Sequence, residues 1–550
     1  LWGKQVEALI KMRIMSGSEQ HIEMDGKSLA GMASCVEDDG IWYAKVAEAD
    51  GDKVVDAPDH APLMAQARVM RTLMIQHELD GEGKWLEMVR SMVDGLQRVA
   101  CYREDYAYYP VTVLGGTLCM PRSGWPDTDE PQGLSLNELY TGPGATRRWH
   151  RSATHTLFAF GAIVRTLCQW HKMTGDGKAL EFAGKLVRFM LKERNWKPEA
   201  KPKAVVAADH AQFEGHMHAC CWGFLGLLDY AELTRNERIK AFVRDGYEYM
   251  RTFGIARIGL FGEGCTLGDM TTLAVRLSDL EAGDYWEDLD QYVRNHLVEL
   301  QQLRADFLEK ISLASPKYVA SSWETTERVI ERNIGALADD ATHVNMLDPG
   351  GIFCCTENGL LGYYHAWEAI VRCADGAAQV NLLLNRASPW LDIDSHLPYQ
   401  GKVVIRNKTA RRLSVRLPRW VDQGAVQASV DGGPASGFWV GRYLVLGDIG
   451  GKKEVSIEFP MAESTETYCN GWEGVGMPGH TECTLHPGSP GKLWEPPEEL
   501  TRYTFRLKGN TVVDVTPREE GLGYPIYLRD HYKSNTAPTR EVKRHISRTI

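Results

Sequence analysis

The chain is 550 residues long, carries a net charge of −11 and has an ordinary globular composition, so it exceeds what a single hydrophobic core supports and several domains are expected. The acidic balance and the lack of any clustered Lys/Arg run argue against a nucleic-acid or anionic-membrane partner. No apolar stretch approaches the roughly 20 residues that span a bilayer.

Twelve cysteines are scattered without the spacing of a small-domain disulfide framework. Unpaired thiols fit a reducing compartment, so the expected location is cytoplasmic. Because the chain begins at Leu1 rather than Met, export or a periplasmic location stays open.

From Leu1 to about Tyr109, short β-like pieces such as Gly40 to Ala47 mix with amphipathic runs over Ala61 to Leu79 and Gly83 to Val99. In the first run Leu63, Ala67, Val69, Met70, Leu73, Met74 and Ile75 recur at helical spacing, which predicts a core-facing helix. Pro110 to Arg148 is rich in Gly, Pro, Ser and Thr with no sustained period and reads as a long loop. Helices in pairs follow: Arg151 to Met173 with Lys178 to Arg194, Ala219 to Leu233 with Glu237 to Thr252, and Leu267 to Leu280 with Tyr285 to about Ile311. A last helix is predicted over Glu357 to Arg372. Repeated helical hairpins build a solenoid or a closed toroid, and without a repeat signature the closed α/α toroid is favoured. Inner helix ends in a toroid can converge on one pocket.

After Cys373-Ala374-Asp375-Gly376 the pattern changes to period two. Gln379 to Leu384, Lys402 to Ile405, Leu413 to Leu417, Val426 to Val430, Tyr443 to Leu446 and Lys453 to Phe459 predict a β-sandwich. Beyond the Pro- and Gly-rich stretch Gly474 to Pro497, further strands are expected at Tyr503 to Leu507, Thr511 to Val515 and Pro525 to Leu528. The domain division expected is 1–375 helical, 376–465 β-sandwich and 466–550 a second β-rich domain.

Chemistry concentrates in two short stretches, Phe261-Gly262-Glu263-Gly264-Cys265 and Gly350-Gly351-Ile352-Phe353-Cys354-Cys355-Thr356-Glu357-Asn358-Gly359. In an extended stretch Glu263 and Cys265, two apart, would project to one side and share an ion. Cys354 and Cys355 would reach the same ion if the backbone bends at the glycines before them. Three thiolates and a carboxylate suit tetrahedral Zn²⁺. A closed four-ligand zinc is usually structural, whereas a loosely held thiolate is a soft nucleophile at neutral pH. The other vicinal pair, Cys220-Cys221, lies in an apolar run and reads as core. His216 and His218 share a face in an extended segment and could hold a metal or a sugar hydroxyl, although such pairs also occur idly in loops. His150, His155 and His210 read as structural or exposed, and most rings of Tyr363-Tyr364-His365-Ala366-Trp367 as core.

The Cys-Cys-Thr-Glu-Asn-Gly segment, with Glu263-Gly264-Cys265 and the run from Asp284-Tyr285-Trp286-Glu287-Asp288 to Arg294-Asn295, resembles glycoside hydrolase family 127, the β-L-arabinofuranosidase-like proteins. Val415-Arg416-Leu417-Pro418-Arg419-Trp420, Lys508-Gly509-Asn510-Thr511-Val512-Val513 and Tyr524-Pro525-Ile526-Tyr527 resemble its β-region. The resemblance implies an (α/α)6 barrel followed by C-terminal β-sandwich domains. It also implies a retaining glycoside hydrolase with a zinc-bound cysteine nucleophile, releasing a terminal furanose such as β-L-arabinofuranose from a plant-type glycan. By position, Glu263, Cys265, Cys354 and Cys355 match the zinc ligands and Cys354 the nucleophile, with His216, His218 and His150 as substrate-binding candidates.

One feature departs from the family pattern. There the acid/base is a glutamate on a further loop upstream of the metal-binding one, whereas here Phe253-Gly254 runs through a short segment directly into Gly262-Glu263. Glu263 is then asked to serve as catalytic acid or as ligand, with Glu248 and Glu214 as substitutes. Alternative readings are a polysaccharide lyase or sugar epimerase on the same toroid, and a non-catalytic carbohydrate-binding relative with a structural zinc. The expected partner is a carbohydrate, with neither nucleic acid nor membrane and with a homodimer left open.

Overall fold

The computed structural model describes residues 2–546 except 44–46, 51–52, 57–59, 110–111, 115–116, 122–153, 197–207, 214–215, 318, 321–324, 348, 350–352, 470–500, 520 and 522. Its first two-thirds are mainly helical: α1 (Trp2–Ser16), α2 (Ile22–Ala33), α3 (Leu63–Asp80), α4 (Gly83–Val99), α5 (Thr154–Thr174), α6 (Gly177–Met190), α7 (Met217–Thr234), α8 (Glu237–Arg251), α9 (Gly264–Asp279), α10 (Trp286–Tyr292), α11 (Ala305–Ala314), α12 (Val329–Asn333) and α13 (Phe353–Ala369).

Two burial patterns sort these helices. In α7 every residue from Met217 to Leu228 is buried, and in α9 every residue from Gly264 to Val275. A helix apolar or buried all round is an inner helix. By contrast α4 buries Trp85, Val89, Met92, Val93 and Leu96, and α8 buries Ile239, Val243, Tyr247 and Met250, each along one stripe. Such helices cover the outside of a helical layer. The inner helices pack in sequence, α1 on α3, α3 on α5, α5 on α7, α7 on α9, α9 on α13, and α13 returns to α1; α2, α4, α6, α8 and α10 each pack on the inner helix beside them in the chain. Glycines set the closest crossings. A Cβ on Gly226 would lie 2.3 Å from the Gly161 carbonyl, and one on Gly268 would lie 2.5 Å from the Asn358 carbonyl. Cys220 and Cys221 are buried within α7, as the apolar run predicts.

The C-terminal third is β. A five-stranded sheet orders Val371–Ala374, Ala377–Val380, Arg412–Arg416, Tyr443–Leu446 and Phe438–Val440. A six-stranded sheet orders Arg386–Ala387, Leu391–Ser395, Lys402–Asn407, Glu454–Glu458, Gln427–Val430 and Gly433–Pro434. Strand Glu454–Glu458 buries the alternate residues Val455 and Ile457, the period-two pattern seen in the sequence, whereas Lys402–Asn407 buries Val403, Val404 and Ile405 in a row. A further antiparallel sheet joins Glu463–Cys469, Arg502–Lys508 and Thr511–Thr516. The chain then returns to the helical part, where Tyr524–Pro525 pairs with Asn345–Leu347, itself paired with Asp340–Ala341. That small sheet braces the segment leading into α13.

The segments that carried the family resemblance meet where helices and β-sheets join. Arg416 is buried and its guanidinium spans Glu287 and Asp284 at 3.2 Å. Asn510 donates to Glu287 and Asp290 at 2.8 and 2.9 Å, while Asn295 bonds the backbone of Asn510 and Val512.

Several expectations need correction. Helices α1 and α2 fall in the region expected to mix β-like pieces with later helices; α1 turns Lys4, Glu7 and Lys11 inward, so no apolar stripe marks it. Within the expected loop after Pro110, strands Thr112–Leu114 and Thr117–Pro121 form and pair with each other, the latter also with His60–Pro62; the rest to residue 148 is outside the described residues. The helix expected from Tyr285 to Ile311 passes through a π turn at Val293–Leu297, ends at Glu299 and starts again at Ala305. The widened turn carries Asn295, whose bonds to the β-sheet replace helical continuity. The expected glycine bend at 350–351 is outside the described residues.

Candidate functional site

The cysteine stretches were expected to be extended or bent, and both are helical. Glu263 is the residue before α9 and Cys265 lies in its first turn; Cys354 and Cys355 lie in the first turn of α13. Neighbouring helical residues differ by about 100° around the axis, an angle close to tetrahedral. The close α9–α13 crossing at Gly268 then brings the two helix starts together.

The result is a compact donor cluster. One ligand atom from each of Glu263, Cys265, Cys354 and Cys355 lies within 4.8 Å of the others. The Cys354 and Cys355 sulfurs are 3.7 Å apart, far too long for a disulfide, and Cys265, Cys354 and Cys355 are all free. Four bonds of zinc–thiolate length set tetrahedrally give a sulfur–sulfur edge of about 3.8 Å, so the donor set fits Zn²⁺. Cys265 and Cys355 are fully buried, whereas Cys354 is partly exposed.

Without a metal the thiols share charge among themselves. Hydrogen bonds from Cys265 and Cys355 hold the Cys354 thiol far below its ordinary range, burial pushes Cys265 up, and the same sulfur contacts push Cys355 up. Of the three thiols, Cys354, the exposed member, is therefore the one most readily ionised. Its position in a first turn, where the helix dipole is positive, favours the same state.

Glu263 is committed to this cluster. Its Oε2 accepts from His216 Nε2 at 2.9 Å and from Thr266 at 3.2 Å, and its Oε1 faces Cys355. Burial pushes its carboxyl up, but the charge and hydrogen bond of His216 outweigh this and leave it at about 2. An ionised, doubly bonded carboxylate is a ligand rather than a proton donor. Of the substitutes, Glu248 is occupied by Tyr285 and Arg251 on α8, and Glu214 is outside the described residues, as is His150. His210 is exposed on a short 3-10 turn.

His216 and His218 flank the start of α7, with ring centroids 5.5 Å apart. His216 reaches Glu263, and His218 Nδ1 lies 2.5 Å from Asp269 Oδ2. Asn358 bridges the other Asp269 oxygen, at 2.7 Å, and the Cys265 carbonyl, at 2.8 Å.

Sequence reasoning missed five residues here. Lys4, buried on α1, donates to the Cys354 carbonyl and places its ammonium 3.5 Å from Cys265 Sγ. Three thiolates and a carboxylate around a dication leave a net charge of about −2, which the lysine halves. Asp339 lies 2.5 Å from Cys355 Sγ, and its carbonyl accepts from Gly264. Glu357 is 7% exposed with one oxygen unpartnered. Asp269 and Asn358 complete the set. Asp269 follows Cys265 by one helical turn, a usable signal had α9 been started at Gly264; Lys4 gives no such signal from so far along the chain.

No family model matches the sequence, and no curated protein matches it. Among solved structures, a GH127 β-L-arabinofuranosidase from Geobacillus stearothermophilus T6 aligns over 93% of this chain and 75% of its own, at 12% identity and a TM-score of 0.53. A second GH127 β-arabinofuranosidase structure aligns over 93% of this chain and 74% of its own, also at 12% identity, with a TM-score of 0.57. Over nearly its whole length, this chain has the fold of the GH127 β-arabinofuranosidase structures.

Proposed function

We propose that the protein is a retaining glycoside hydrolase that uses a zinc-bound cysteine, Cys354, to release a terminal furanose such as β-L-arabinofuranose from a plant-type glycan. The observation that carries this reading is the convergence of three free thiols and Glu263, with Cys354 alone of the three open to solvent. The fold shared with GH127 structures supports it. The ring of six inner helices, each with an outer neighbour except α13, supports an (α/α)6 barrel as its frame. The division at about residue 375 goes with the change from helices to sheets, and that at about 465 falls in the strand Glu463–Cys469, which opens a separate sheet.

Glu263, Cys265, Cys354 and Cys355 would hold the zinc, which when bound keeps the thiols deprotonated at neutral pH. Cys354 Sγ attacks the anomeric carbon as the glycosidic C–O bond breaks, giving a thioglycosyl enzyme. Water then displaces the sulfur from the same face on which the leaving group stood, so configuration is retained. His216 orients a sugar hydroxyl beside this carbon, and His218 contacts the scissile oxygen.

The test is metal analysis together with turnover of 4-nitrophenyl β-L-arabinofuranoside. The wild type is expected to bind about one zinc per chain and to release the sugar with retention. Cys354→Ala and Cys354→Ser are each expected to lose at least about 10³-fold in kcat/KM while remaining folded. A zinc-free wild type, or a Cys354→Ala protein of normal rate, refutes the reading.

A further inference from the structure

A retaining route needs a group that gives a proton to the leaving oxygen and then takes one from water. Around the cluster the carboxylates are otherwise engaged: Glu263 with His216 and Thr266, Asp339 with Cys355. Glu357, three residues after Cys354 on α13, is buried with one oxygen unpartnered and is the rival carboxylate that the experiment below includes.

His218 differs from all of these. Its Nδ1 is bound to Asp269, and Asp269 is fixed from behind by Asn358, which also holds the Cys265 carbonyl. Phe158 packs edge-on to the ring at 5.1 Å. The ring is thereby locked in one orientation, with Nδ1–H directed to the carboxylate. Its Nε2 makes no hydrogen bond among the described residues, whereas His216 spends its Nε2 on Glu263. The His218 ring lies 5.5 Å from that of His216, which is itself hydrogen-bonded to Glu263 in the donor cluster. A buried carboxylate that fixes the tautomer and steadies an imidazolium is the arrangement by which an imidazole shuttles protons.

We propose that His218, oriented by Asp269, is the proton-transfer group of this site, taking the place of the carboxylic acid whose loop is shortened before Glu263. This rests on the glycosidase reading above. In the first step the Cys354 sulfur bonds to the anomeric carbon, the C–O bond breaks, and the leaving oxygen takes the proton from His218 Nε2. In the second, neutral His218 Nε2 takes a proton from water as the water oxygen bonds to that carbon; the C–S bond breaks and its electron pair returns to Cys354. The imidazolium is regenerated, and Asp269 stays ionised throughout as a positioning residue.

The experiment compares 4-nitrophenyl β-L-arabinofuranoside, whose leaving group needs no proton, with the methyl glycoside, whose leaving group does. It is run on wild type, His218→Gln, Asp269→Asn and Glu357→Gln, with zinc content checked in each. His218→Gln is expected to lose about 10³-fold in kcat/KM on the methyl glycoside and about tenfold or less on the nitrophenyl one. It should also accumulate the Cys354 adduct by mass spectrometry and recover turnover with azide, forming the glycosyl azide. Asp269→Asn is expected to show the same pattern more weakly, through kcat rather than KM. Equal losses on both substrates without adduct or azide rescue overturn the proposal, as does the same pattern appearing in Glu357→Gln instead. If His218→Gln fails to fold, Asp269→Asn decides in the same way. A zinc-loaded wild type inert to both glycosides overturns the glycosidase reading and this proposal with it, whereas an active wild type with leaving-group-independent variants overturns this proposal alone.

Discussion

Cys354 and Cys355 are adjacent in sequence yet differ in everything that matters chemically. Cys355 is sealed in beside Asp339, while Cys354 is open and collects the negative charge of its neighbours. Cys265 stands apart as a buried anchor, with Lys4 beside it. Replacing Cys265 by Ala removes one of the four donors of the cluster, and a metal bound there would be coupled to folding. The expected outcome is lost zinc together with a stability loss of at least about 2 kcal/mol, read as a lower Tm that added zinc no longer raises. Replacing Lys4 by Met keeps length and burial but removes the cation. Weaker zinc retention against a chelator is expected, with Lys4→Arg less affected.

At the level of elements, the site exists because α9 and α13 start side by side. Gly268 and Gly362 set the approach of the two helices: a Cβ on Gly268 would meet the Asn358 carbonyl at 2.5 Å and one on Gly362 the Cα of Gly268 at 2.8 Å, while one on Gly264 would meet the Ala338 carbonyl at 2.8 Å. Gly268→Ala has nowhere to place its methyl except against backbone, so the helices must separate. A cost of about 1–3 kcal/mol is expected, with zinc affinity falling in the same variant; thermal melts with and without zinc separate the two effects. Gly175→Ala, on an exposed turn with nothing near its Cβ, is the contrasting control for packing, though its φ of +75° adds strain of its own.

Across the whole molecule, the β-sheets hold the helical ring from one side through buried polar contacts. Removing one partner of a buried ion pair leaves the other charge unmet, so Arg416→Met, which leaves the buried Glu287 carboxylate without its cation, is expected to cost about 3–5 kcal/mol, measurable by urea unfolding. Two histidines lie near the same junction. Burial, with the charges of His343 and Arg529, pushes His296 down to about 3, and burial pushes His343 down to about 4. Both are neutral in the fold at pH values where the unfolded chain protonates them. Stability is therefore full above about pH 6.5 and falls as pH drops, by about 1.4 kcal/mol per unit for each histidine, until the folded values near 4 and 3 are reached. Unfolding at pH 6.5 and 4.5 checks this, and His296→Gln should flatten the slope.

Much of this was legible in the chain itself. Helical spacing located α4 at its observed limits, Gly83–Val99, and period-two alternation located Tyr443–Leu446 likewise. Spacing is local, and those elements bury a simple stripe or face. The four donors of the cluster were also legible, since thiols beside glycines are unusual. The helical starts at Gly264 and Phe353, the polar inner face of α1, and the partners Lys4, Asp269 and Asp339 were not. Lys4 and Cys265 lie 261 residues apart, and nothing in either neighbourhood refers to the other. The sequence by itself determined which residues could bind a soft metal and where helix gives way to sheet. Only the tertiary structure decided that Glu263 is spent on the cluster with His216 and that His218 pairs with Asp269, because closing the ring brings distant helix starts to one point.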